Sequence, residues 1–254
     1  MAQQQRAIRT RRMILEAAAA TFDELGYDGA STTEILSRSG LTRGALYHHF
    51  PSKEAIAAAL VAAQDEALVI PTHTVKLQGV IDLTAEYAFR LQTDSVLRAG
   101  VRLTVEQTSF SQPKIAPYQG AANVIGSLLR GAQERGELLP GVRPQEVTEF
   151  IVGAFTGIQL LSQVYDNRRD LLHRVSAMWR FLLPGIAVPG LVPHLDTDIE
   201  RRCAVNARAR QDAEAAPGAT PEATPEPAAA RPAGTGASEP VAAASRRREP
   251  VKAD

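Results

Sequence analysis

Apolar residues recur at intervals of three and four through most of residues 1–210, which is the spacing of one face of an α-helix. Near the start, Ile14, Ala18 and Phe22 follow this spacing, and Gly26 closes the stretch in the manner of a glycine that follows a helix C-terminus. No alternating apolar and polar run longer than four residues is flanked by turn residues, so the pattern does not favour strands. These features predict an all-α protein.

Capping and turn residues divide the chain into separate helices. Residues 31–34, Ser-Thr-Thr-Glu, form a capping box, and the helix that they begin ends before Gly40. Thr42 and Ser52 can cap the two helices that follow. The helices predicted beyond the capping box are 43–49, 52–69, 80–92, 96–108, 117–135, 144–165 and 170–183.

The last two predicted helices carry more apolar surface than one helical face can bury. In 144–165 apolar residues surround most of the circumference, and 170–183 has two apolar rows that share Val175. A helix that is apolar on most faces is buried on more than one side. The two interpretations are a deep core within one chain and a four-helix bundle made by two copies. We expect a homodimer with these helices in its interface, including Ile158 and Val175.

The end of the chain differs in composition from the rest. Residues 212–254 contain 14 Ala and 7 Pro but no Leu, Ile, Phe, Trp or Tyr. Such a segment offers too little apolar surface to offset the entropy lost on ordering. The composition predicts a disordered tail over 211–254, with a short basic cluster at 246–248 that is either solvated or in weak contact with DNA.

Charge and cysteine content exclude several classes of protein. Lys and Arg together number 28, as do Asp and Glu, so the total charge indicates neither nucleic-acid nor membrane binding. Residues 1–12, however, carry four arginines and no acid, which makes the N-terminus locally basic. One cysteine, Cys203, excludes a disulfide framework and a thiolate zinc site, and it fits a reducing compartment. With no membrane-length apolar segment and no signal-peptide pattern, we expect a cytoplasmic protein without membrane contact.

Residues 31–53 read STTEILSRSGLTRGALYHHFPSK, which describes a capped helix, a turn and a second short helix. In that second helix Gly44, Tyr47 and His48 share one face beside Arg43, and this face has no aliphatic side chain. A glycine lets the backbone approach a phosphate or base edge, and Tyr and His can donate hydrogen bonds to phosphate. An arginine can pair with guanine O6 and N7 in the major groove. The segment is therefore a candidate helix–turn–helix.

Other residues complete the candidate DNA-binding set. Thr33 and Thr42 lie at helix N-termini, where free N–H groups favour phosphate. Lys53 is a further candidate phosphate contact, and Arg9 belongs to the basic N-terminus. The whole set is Arg9, Thr33, Thr42, Arg43, Gly44, Tyr47, His48 and Lys53.

Over residues 9–55 the sequence resembles the DNA-binding end of TetR-type repressors. The run GALYHHFPSKE carries most of the resemblance, supported by residues 14–18, Phe22, 26–27, 32–33, Ile35 and Gly40. The family implies an all-α homodimer with an N-terminal three-helix DNA-binding domain and a C-terminal ligand-binding and dimerisation domain. For this chain the resemblance implies a helix–turn–helix domain at 1–51 and a ligand-binding domain at 52–210, followed by the tail.

A narrower resemblance is to the γ-butyrolactone receptors that control antibiotic synthesis. It rests on the opening 10–32, on LTVEQ at 103–107 and on PYQGAANVIGSLLRGAQERGEL at 117–138. Those receptors carry a pocket Trp a few residues after the Pro-Tyr pair, where this chain has Gly120, Ala121 and Ala122. Its one Trp is Trp179. The effector is therefore either butyrolactone-like or, as in a pseudo-receptor, another molecule such as an antibiotic, and the missing Trp predicts extra room near Ala121.

The candidate ligand-binding residues lie on otherwise apolar helices. The polar candidates are Gln64, Gln107, Thr156 and Gln159, for which a satisfied core hydrogen bond is an equal alternative. The candidate apolar walls are Phe89, Leu103, Phe155 and Trp179, for which core packing is the alternative.

Catalytic and metal-binding patterns are not found. The adjacent pair His48–His49 lacks the spacing of two metal ligands on one helix face, and there is no nucleophile elbow or glycine-rich phosphate loop. We expect no enzyme activity, no cofactor and no metal. The predicted function is a repressor that binds a palindromic operator on double-stranded DNA and leaves it when a small molecule binds. The alternative is a constitutive DNA-binding regulator, which a closed and fully packed C-terminal core would favour.

Overall fold

The computed structural model describes residues 2–69, 73–105, 109–110 and 115–204. Its helices are α1 Ala2–Gly29, α2 Thr32–Ser39, α3 Arg43–His49, α4 Lys53–Glu66, α5 Lys76–Thr93, α6 Ser95–Val105, α7 Ala116–Glu134, α8 Pro144–Asp166 and α9 Leu171–Ile186. A short 3₁₀ turn, Val192–His194, follows α9. The only β pairing among these residues is an isolated bridge between Leu138 and Ala187. The predicted all-α fold is confirmed.

Four helix ends differ clearly from the sequence prediction, and the largest difference is at α5, which begins at Lys76, four residues earlier than predicted. Gly26 breaks the helical backbone with φ 68° and ψ 169°, but helical structure resumes and α1 runs to Gly29. Helix α4 ends at Glu66, three residues earlier than predicted. Helix α9 continues past Pro184 to Ile186. Residues 106–108 and the predicted tail at 211–254 lie outside the described residues.

The caps around the helix–turn–helix are those that the sequence indicates. Ser31 and Glu34 form a complete capping box at the start of α2, and Gly40 ends α2 with a left-handed φ of 65°. The side chains of Thr42 and Ser52 accept hydrogen bonds from the N–H groups of Ala45 and Ala55. Each such cap stabilises its helix by about 1 kcal/mol. Short helices such as α2 and α3 are therefore defined locally before they pack.

The buried apolar side chains form two clusters that meet at α6. The N-terminal cluster packs Phe22, Ile35 and Leu46 of the first three helices against Leu60 of α4 and Leu103 of α6. The C-terminal cluster is built from α5, α7, α8 and α9 and also takes residues from α6. Helix α6 thus contributes to both clusters. It packs against α1, the first helix of the candidate DNA-binding segment, which comprises α1, α2 and α3.

The closest helix packing in the described residues occurs where α6 crosses α4. A Cβ added at Gly100 would overlap the backbone oxygen of Leu60 and lie 3.5 Å from the Cα atom of Val61. Only glycine allows the two backbones to approach this closely. Further along, Gln64 Nε2 donates a hydrogen bond of 2.8 Å to Thr104 Oγ1, which in turn donates to the Gly100 oxygen at 3.0 Å.

Helix α8 is long and apolar enough to cross a membrane by length and composition, with a mean hydropathy of 1.3 in its most apolar window. In the structure it packs against α7 and α9, and Val147 and Ile151 lie in the C-terminal core. Other apolar side chains of α8 face outward, Val164 and Tyr165 among them. Its high hydropathy therefore comes from one buried face and a second, exposed apolar face.

We predict that Gly100→Ala lowers the melting temperature by several degrees. The new methyl group must push α6 away from the α4 backbone, and overpacking of this kind costs about 1–3 kcal/mol. Thermal unfolding followed by circular dichroism measures the change. Gly79→Ala is the matched control, because that buried helical position has no atom nearer than 3.7 Å to the added Cβ. Equal stability of the two variants would contradict the close α4–α6 packing.

Candidate functional site

The outer surface of α3 is polar and exposed, and its inner surface is apolar and buried. Leu46 and Phe50 point into the N-terminal core. Arg43, Gly44, Tyr47 and His48, on the other side, are exposed. The two sides are therefore divided as the sequence pattern predicts, and the exposed side presents hydrogen-bond donors without an aliphatic group.

Contacts within this surface hold its aromatic side chain in place. The Tyr47 hydroxyl lies 3.3 Å from Thr32 Oγ1, and the Arg43 guanidinium carbon lies 5.6 Å from the Tyr47 ring centroid. No atom lies within 4 Å of a Cβ built on Gly44, so packing does not require glycine at that position. The backbone at Gly44 is therefore open to the outside of α3.

The four remaining DNA-binding candidates have different environments, and Thr42, the N-cap of α3, is exposed. Thr33 and Arg9 are exposed on α2 and α1. Lys53 is half-buried, and its Nζ donates hydrogen bonds to the carbonyl oxygens of Tyr27 at 2.9 Å and Ala30 at 3.0 Å. Its ammonium also lies 4.4 Å from the Tyr27 ring centroid. Two of the three N–H donors of Lys53 are therefore used within the protein, where they hold the end of α1 against α4.

The basic N-terminus is also partly used within the fold. Arg12 pairs with Glu16 at 2.8 Å and with Asp94 at 2.9 Å, and so links α1 to the start of α6. Arg11 lies over the Phe50 ring at 5.3 Å. Arg9 remains exposed on the outer side of α1. Of the four arginines in residues 1–12, two thus help to seat α1.

A cavity of about 80 Å³ lies between α4, α5, α7 and α8. Four predicted ligand-binding residues line it: Gln64, Phe155, Thr156 and Gln159. Three other predicted residues do not. Leu103 is buried in the N-terminal cluster, Phe89 packs at the edge of the C-terminal cluster, and Trp179 is fully buried behind the cavity wall. Gln107 lies outside the described residues.

Trp179 contacts one of the residues that line the cavity. Its indole N–H donates a hydrogen bond of 2.8 Å to Thr84 Oγ1, and Thr84 lines the cavity. Thr84 Oγ1 donates in turn to the Ile81 oxygen at 2.8 Å. Because both partners are buried, this hydrogen bond fixes the Thr84 side chain and with it one wall.

The sequence analysis missed two tyrosines in the lining, Tyr87 and Tyr118. Burial raises the pKa of the Tyr87 hydroxyl, and its ring packs edge-on against Phe155 with centroids 5.7 Å apart. Neither hydroxyl makes a hydrogen bond to another described residue. The signal for Tyr87 was its helical spacing from Thr84, and Tyr118 belongs to the Pro-Tyr pair.

The polar groups at the cavity are mostly fixed by internal hydrogen bonds. Gln64 uses its Nε2 on Thr104, which leaves its Oε1 without a partner among the described residues. Thr156 donates to the Val152 oxygen at 2.7 Å, and Gln159 accepts from Arg168 at 3.1 Å. The cavity thus offers an acceptor from Gln64 and donors from the two tyrosines.

Ala121 lines the same cavity together with Pro117 and Tyr118 of α7. With only about 80 Å³ available in the whole cavity, the extra room expected at Ala121 is small. Pockets for drug-sized ligands measure about 300–1,000 Å³. A ligand larger than a few water molecules therefore requires the helices or side chains that line the cavity to move.

The outer faces of α8 and α9 expose large apolar side chains. Phe181 is 84% exposed, Val164 77% and Tyr165 70%, and Phe150 and Leu161 are about half exposed. Val175, which the sequence placed in a dimer interface, is instead fully buried in the chain's own core. Ile158 is half-buried and packs against that core. Exposed apolar clusters of this kind mark interaction surfaces.

Within the described residues no group of three or more His, Cys, Asp or Glu side chains could hold a metal ion.

Comparison with known proteins agrees with this arrangement. Residues 14–60 match the family "Bacterial regulatory proteins, tetR family", and residues 74–193 match "Tetracyclin repressor-like, C-terminal domain". The A-factor receptor protein of Streptomyces griseus is 41% identical over 214 residues, which is 84% of this chain and 76% of that protein.

Two solved structures are similar over the same range. Full-length TylP, a TetR regulator from Streptomyces fradiae, is 42% identical with a TM-score of 0.73, covering 80% of this chain and 99% of TylP. A γ-butyrolactone receptor described as ArpA-like is 26% identical with a TM-score of 0.58, covering 82% of this chain and 99% of the receptor. These relatives are regulators and not enzymes. The chain therefore belongs to the TetR family of bacterial transcriptional regulators, as a relative of the A-factor and γ-butyrolactone receptors.

Proposed function

We propose that this DNA-binding regulator is a homodimeric repressor that binds a palindromic operator and releases it when a small molecule enters the cavity between α4, α5, α7 and α8. One observation carries the proposal. Helix α4 begins at the Ser52 cap directly after the helix–turn–helix, and Gln64 near its other end lines the cavity. A single rigid element thus joins the two sites.

The exposed face of α3 supports base recognition in the major groove. Arg43 supplies the bidentate donor for a guanine, and Gly44 leaves room for close approach. Tyr47 and His48 donate to phosphates, as do the groups at the N-termini of α2 and α3 near Thr33 and Thr42, and Arg9 adds charge. Lys53 has one N–H left for a phosphate.

The exposed apolar faces of α8 and α9 support dimerisation. Phe150, Leu161, Val164, Tyr165 and Phe181 would be buried if two copies packed these helices as a four-helix bundle. Two-fold symmetry of the protein requires two-fold symmetry of the operator. The two recognition helices then lie roughly 34 Å apart, or a multiple of that distance.

The small size of the cavity supports a mechanism of release. A ligand that exceeds about 80 Å³ can bind only to a conformation with a larger cavity, so its binding favours that conformation. Because Gln64 lies on α4 and hydrogen-bonds to Thr104 of α6, enlargement changes the position of α4. A tilt of α4 in each copy alters the separation of the recognition helices and lowers operator affinity.

The lining supports a mostly apolar effector with a few polar groups. Tyr87 and Tyr118 can donate to a carbonyl, and Gln64 Oε1 can accept from a hydroxyl. A butyrolactone carries such groups, and the ArpA-like relative is described as a γ-butyrolactone receptor. An antibiotic of mixed polarity is the second candidate effector. The regulated genes are then those of antibiotic or other secondary-metabolite synthesis, and the protein acts in the cytoplasm.

A constitutive regulator without a ligand is the second candidate function. The observation that favours it is the small cavity volume of about 80 Å³, because a domain with so little free space is close to fully packed. The two functions differ in whether any small molecule lowers operator affinity.

We predict that Arg43→Ala weakens operator binding by about 1–3 kcal/mol and relaxes the preference at one base position, because a guanine contact is lost. Gel-shift titration on the DNA upstream of the protein's own gene, with random DNA in parallel, measures both effects. Equal affinity of the wild-type protein for the two DNAs would refute sequence-specific binding.

Lys53→Ala serves as a contrast to that variant. It leaves the carbonyl oxygens of Tyr27 and Ala30 without their donor, so we expect a lower melting temperature as well as uniformly weaker DNA binding. Arg43→Ala, at an exposed position, is expected to keep the wild-type melting temperature.

We predict that Phe181→Asp converts the dimer into a folded monomer, because a charge replaces an apolar side chain in the proposed interface. Sedimentation at micromolar concentration measures the oligomeric state, and circular dichroism the fold. Val69→Asp is the matched control, since Val69 is also exposed but lies outside α8 and α9. A monomeric wild-type protein would exclude the proposed dimer.

We predict that a butyrolactone or a pathway antibiotic releases the operator complex in the gel shift, and that Gln64→Leu weakens this response without weakening DNA binding. The substitution removes the acceptor in the cavity and the hydrogen bond to Thr104, and it leaves the α3 surface unchanged. If Gln64→Leu is released from the operator at the same effector concentrations as the wild-type protein, Gln64 is excluded as an effector contact. Failure of all small molecules with wild-type protein would favour the constitutive regulator.

A further inference from the structure

A second cleft, of about 790 Å³, lies between α1, α6 and the connection from α8 to α9. It is separate from the proposed effector cavity, although Leu91 and Val101 contribute to the walls of both. Its other lining residues include Arg98 and Arg102 of α6 and Arg168 in the α8–α9 connection. The volume falls within the range of small-molecule sites.

Arg168 is a buried cation without an acidic partner among the described residues. It is 8% exposed, and its guanidinium donates only to two uncharged amides, Gln163 Oε1 and, at 3.1 Å, Gln159 Oε1. Its buried Nε has no hydrogen-bond partner among the described residues. A guanidinium has five N–H donors, so three remain unused. A buried charge without an acidic partner lowers the stability of the fold unless another charged group neutralises it.

The charges around the cleft do not neutralise Arg168. Arg98, Arg102, Arg168 and Arg169 line it, and Asp23 is the one acidic residue in the described lining. Asp23 is engaged by Arg102 at 2.8 Å. Burial lowers the pKa of the Arg168 guanidinium and the like charge of Arg98 lowers it further, while the charge of Asp23 opposes this only in part. Arg169 pairs with Asp166 at 3.7 Å, so the excess positive charge on the described walls comes from Arg98 and Arg168.

The backbone at Arg168 is strained. Asn167 and Arg168 both have positive φ, 49° and 64°, which non-glycine residues rarely adopt. The Gln92 amide of α5 donates to the Arg168 oxygen at 2.7 Å and to the Arg169 oxygen at 3.2 Å. Strained conformations of this kind persist where surrounding contacts determine them, often at binding sites.

The opposite walls of the cleft are apolar, with Leu91, Val101 and Leu160 among them. We propose that this cleft binds a small acidic molecule whose carboxylate or phosphate pairs with Arg168 and Arg98 and whose apolar part lies against these side chains. The oxyanion supplies the acceptors that the unused N–H groups of Arg168 lack, in the planar geometry that an arginine matches well. This site is a second effector site, beyond the proposed function.

The cleft lies next to both the DNA-binding segment and the proposed effector cavity. Asp23 belongs to α1, which carries part of the DNA-binding segment, and Gln159 lies in the effector cavity and accepts a hydrogen bond from Arg168. An acidic ligand on Arg168 therefore contacts a residue coupled to the cavity and faces the helix that seats the DNA-binding segment.

Isothermal titration calorimetry of the full chain at constant ionic strength tests the proposal. The probes are phenyl phosphate and benzoate, which share an apolar ring and differ in the oxyanion, with benzyl alcohol as the neutral control. We expect one anion bound per chain and no binding of benzyl alcohol. The tighter of the two anions identifies the oxyanion that the site prefers.

Substitutions locate the binding. Arg98→Gln and Arg168→Lys are expected to weaken anion binding by about tenfold or more, because each removes charge-assisted hydrogen bonds. Arg130→Gln, at an exposed position on α7, makes the same charge change as Arg98→Gln away from the cleft and is expected to bind as wild type. Arg98 is only half-buried, so Arg98→Gln is expected to fold. It keeps the test valid even if Arg168→Lys does not fold.

Three results would overturn the proposal. The first is that neither anion binds to the wild-type protein, as would happen if a second copy placed an acidic group on Arg168. The second is wild-type affinity in folded Arg98→Gln, and the third is equal binding of benzyl alcohol. None of these results depends on operator binding or on release by a butyrolactone, so the test is independent of the proposed function.

Discussion

The backbone contact between Gly100 of α6 and Leu60 of α4 is the constraint on which the rest of the structure depends. It places two helices side by side at a distance that no other residue allows; α4 contributes to the N-terminal hydrophobic cluster and α6 to both clusters. The hydrogen bonds from Gln64 to Thr104 and from Thr104 to Gly100 continue the contact into the cavity. The cavity and the DNA-binding segment are therefore joined by packed backbone and not by a flexible link.

Polar contacts between α1 and α6 support this seating but do not create it. Arg12 binds Asp94, and Arg102 binds Asp23, so two ion pairs join the helices. Because most of these side chains are partly exposed, each pair contributes at most about 1 kcal/mol. The buried side chains of Phe22 and Leu103 contribute more by leaving water. The ion pairs fix orientation, and Arg102 also lines the nearby cleft.

Local signals in the sequence were sufficient for the fold class and the recognition surface. The capping box, the glycine after α2 and the Thr42 and Ser52 caps act within a few residues, so the helix–turn–helix could be placed without tertiary information. Helical spacing also separated the inner and outer sides of α3. It could not show that Lys53, a candidate phosphate contact, also donates to the carbonyl oxygens of Tyr27 and Ala30.

The sequence by itself thus determined the all-α fold, the caps, the exposed face of α3 and the excess of apolar surface on α8 and α9. Only the tertiary structure decided which apolar or polar residues face a cavity. Periodicity identifies a buried face but not its neighbour, so Phe155 lies at the cavity while Trp179 lies behind its wall, and Val175 belongs to the core of its own chain. Arg168 gave no signal at all, since its burial comes from a turn with positive φ and from partners on α5 and α8 that meet it only in three dimensions.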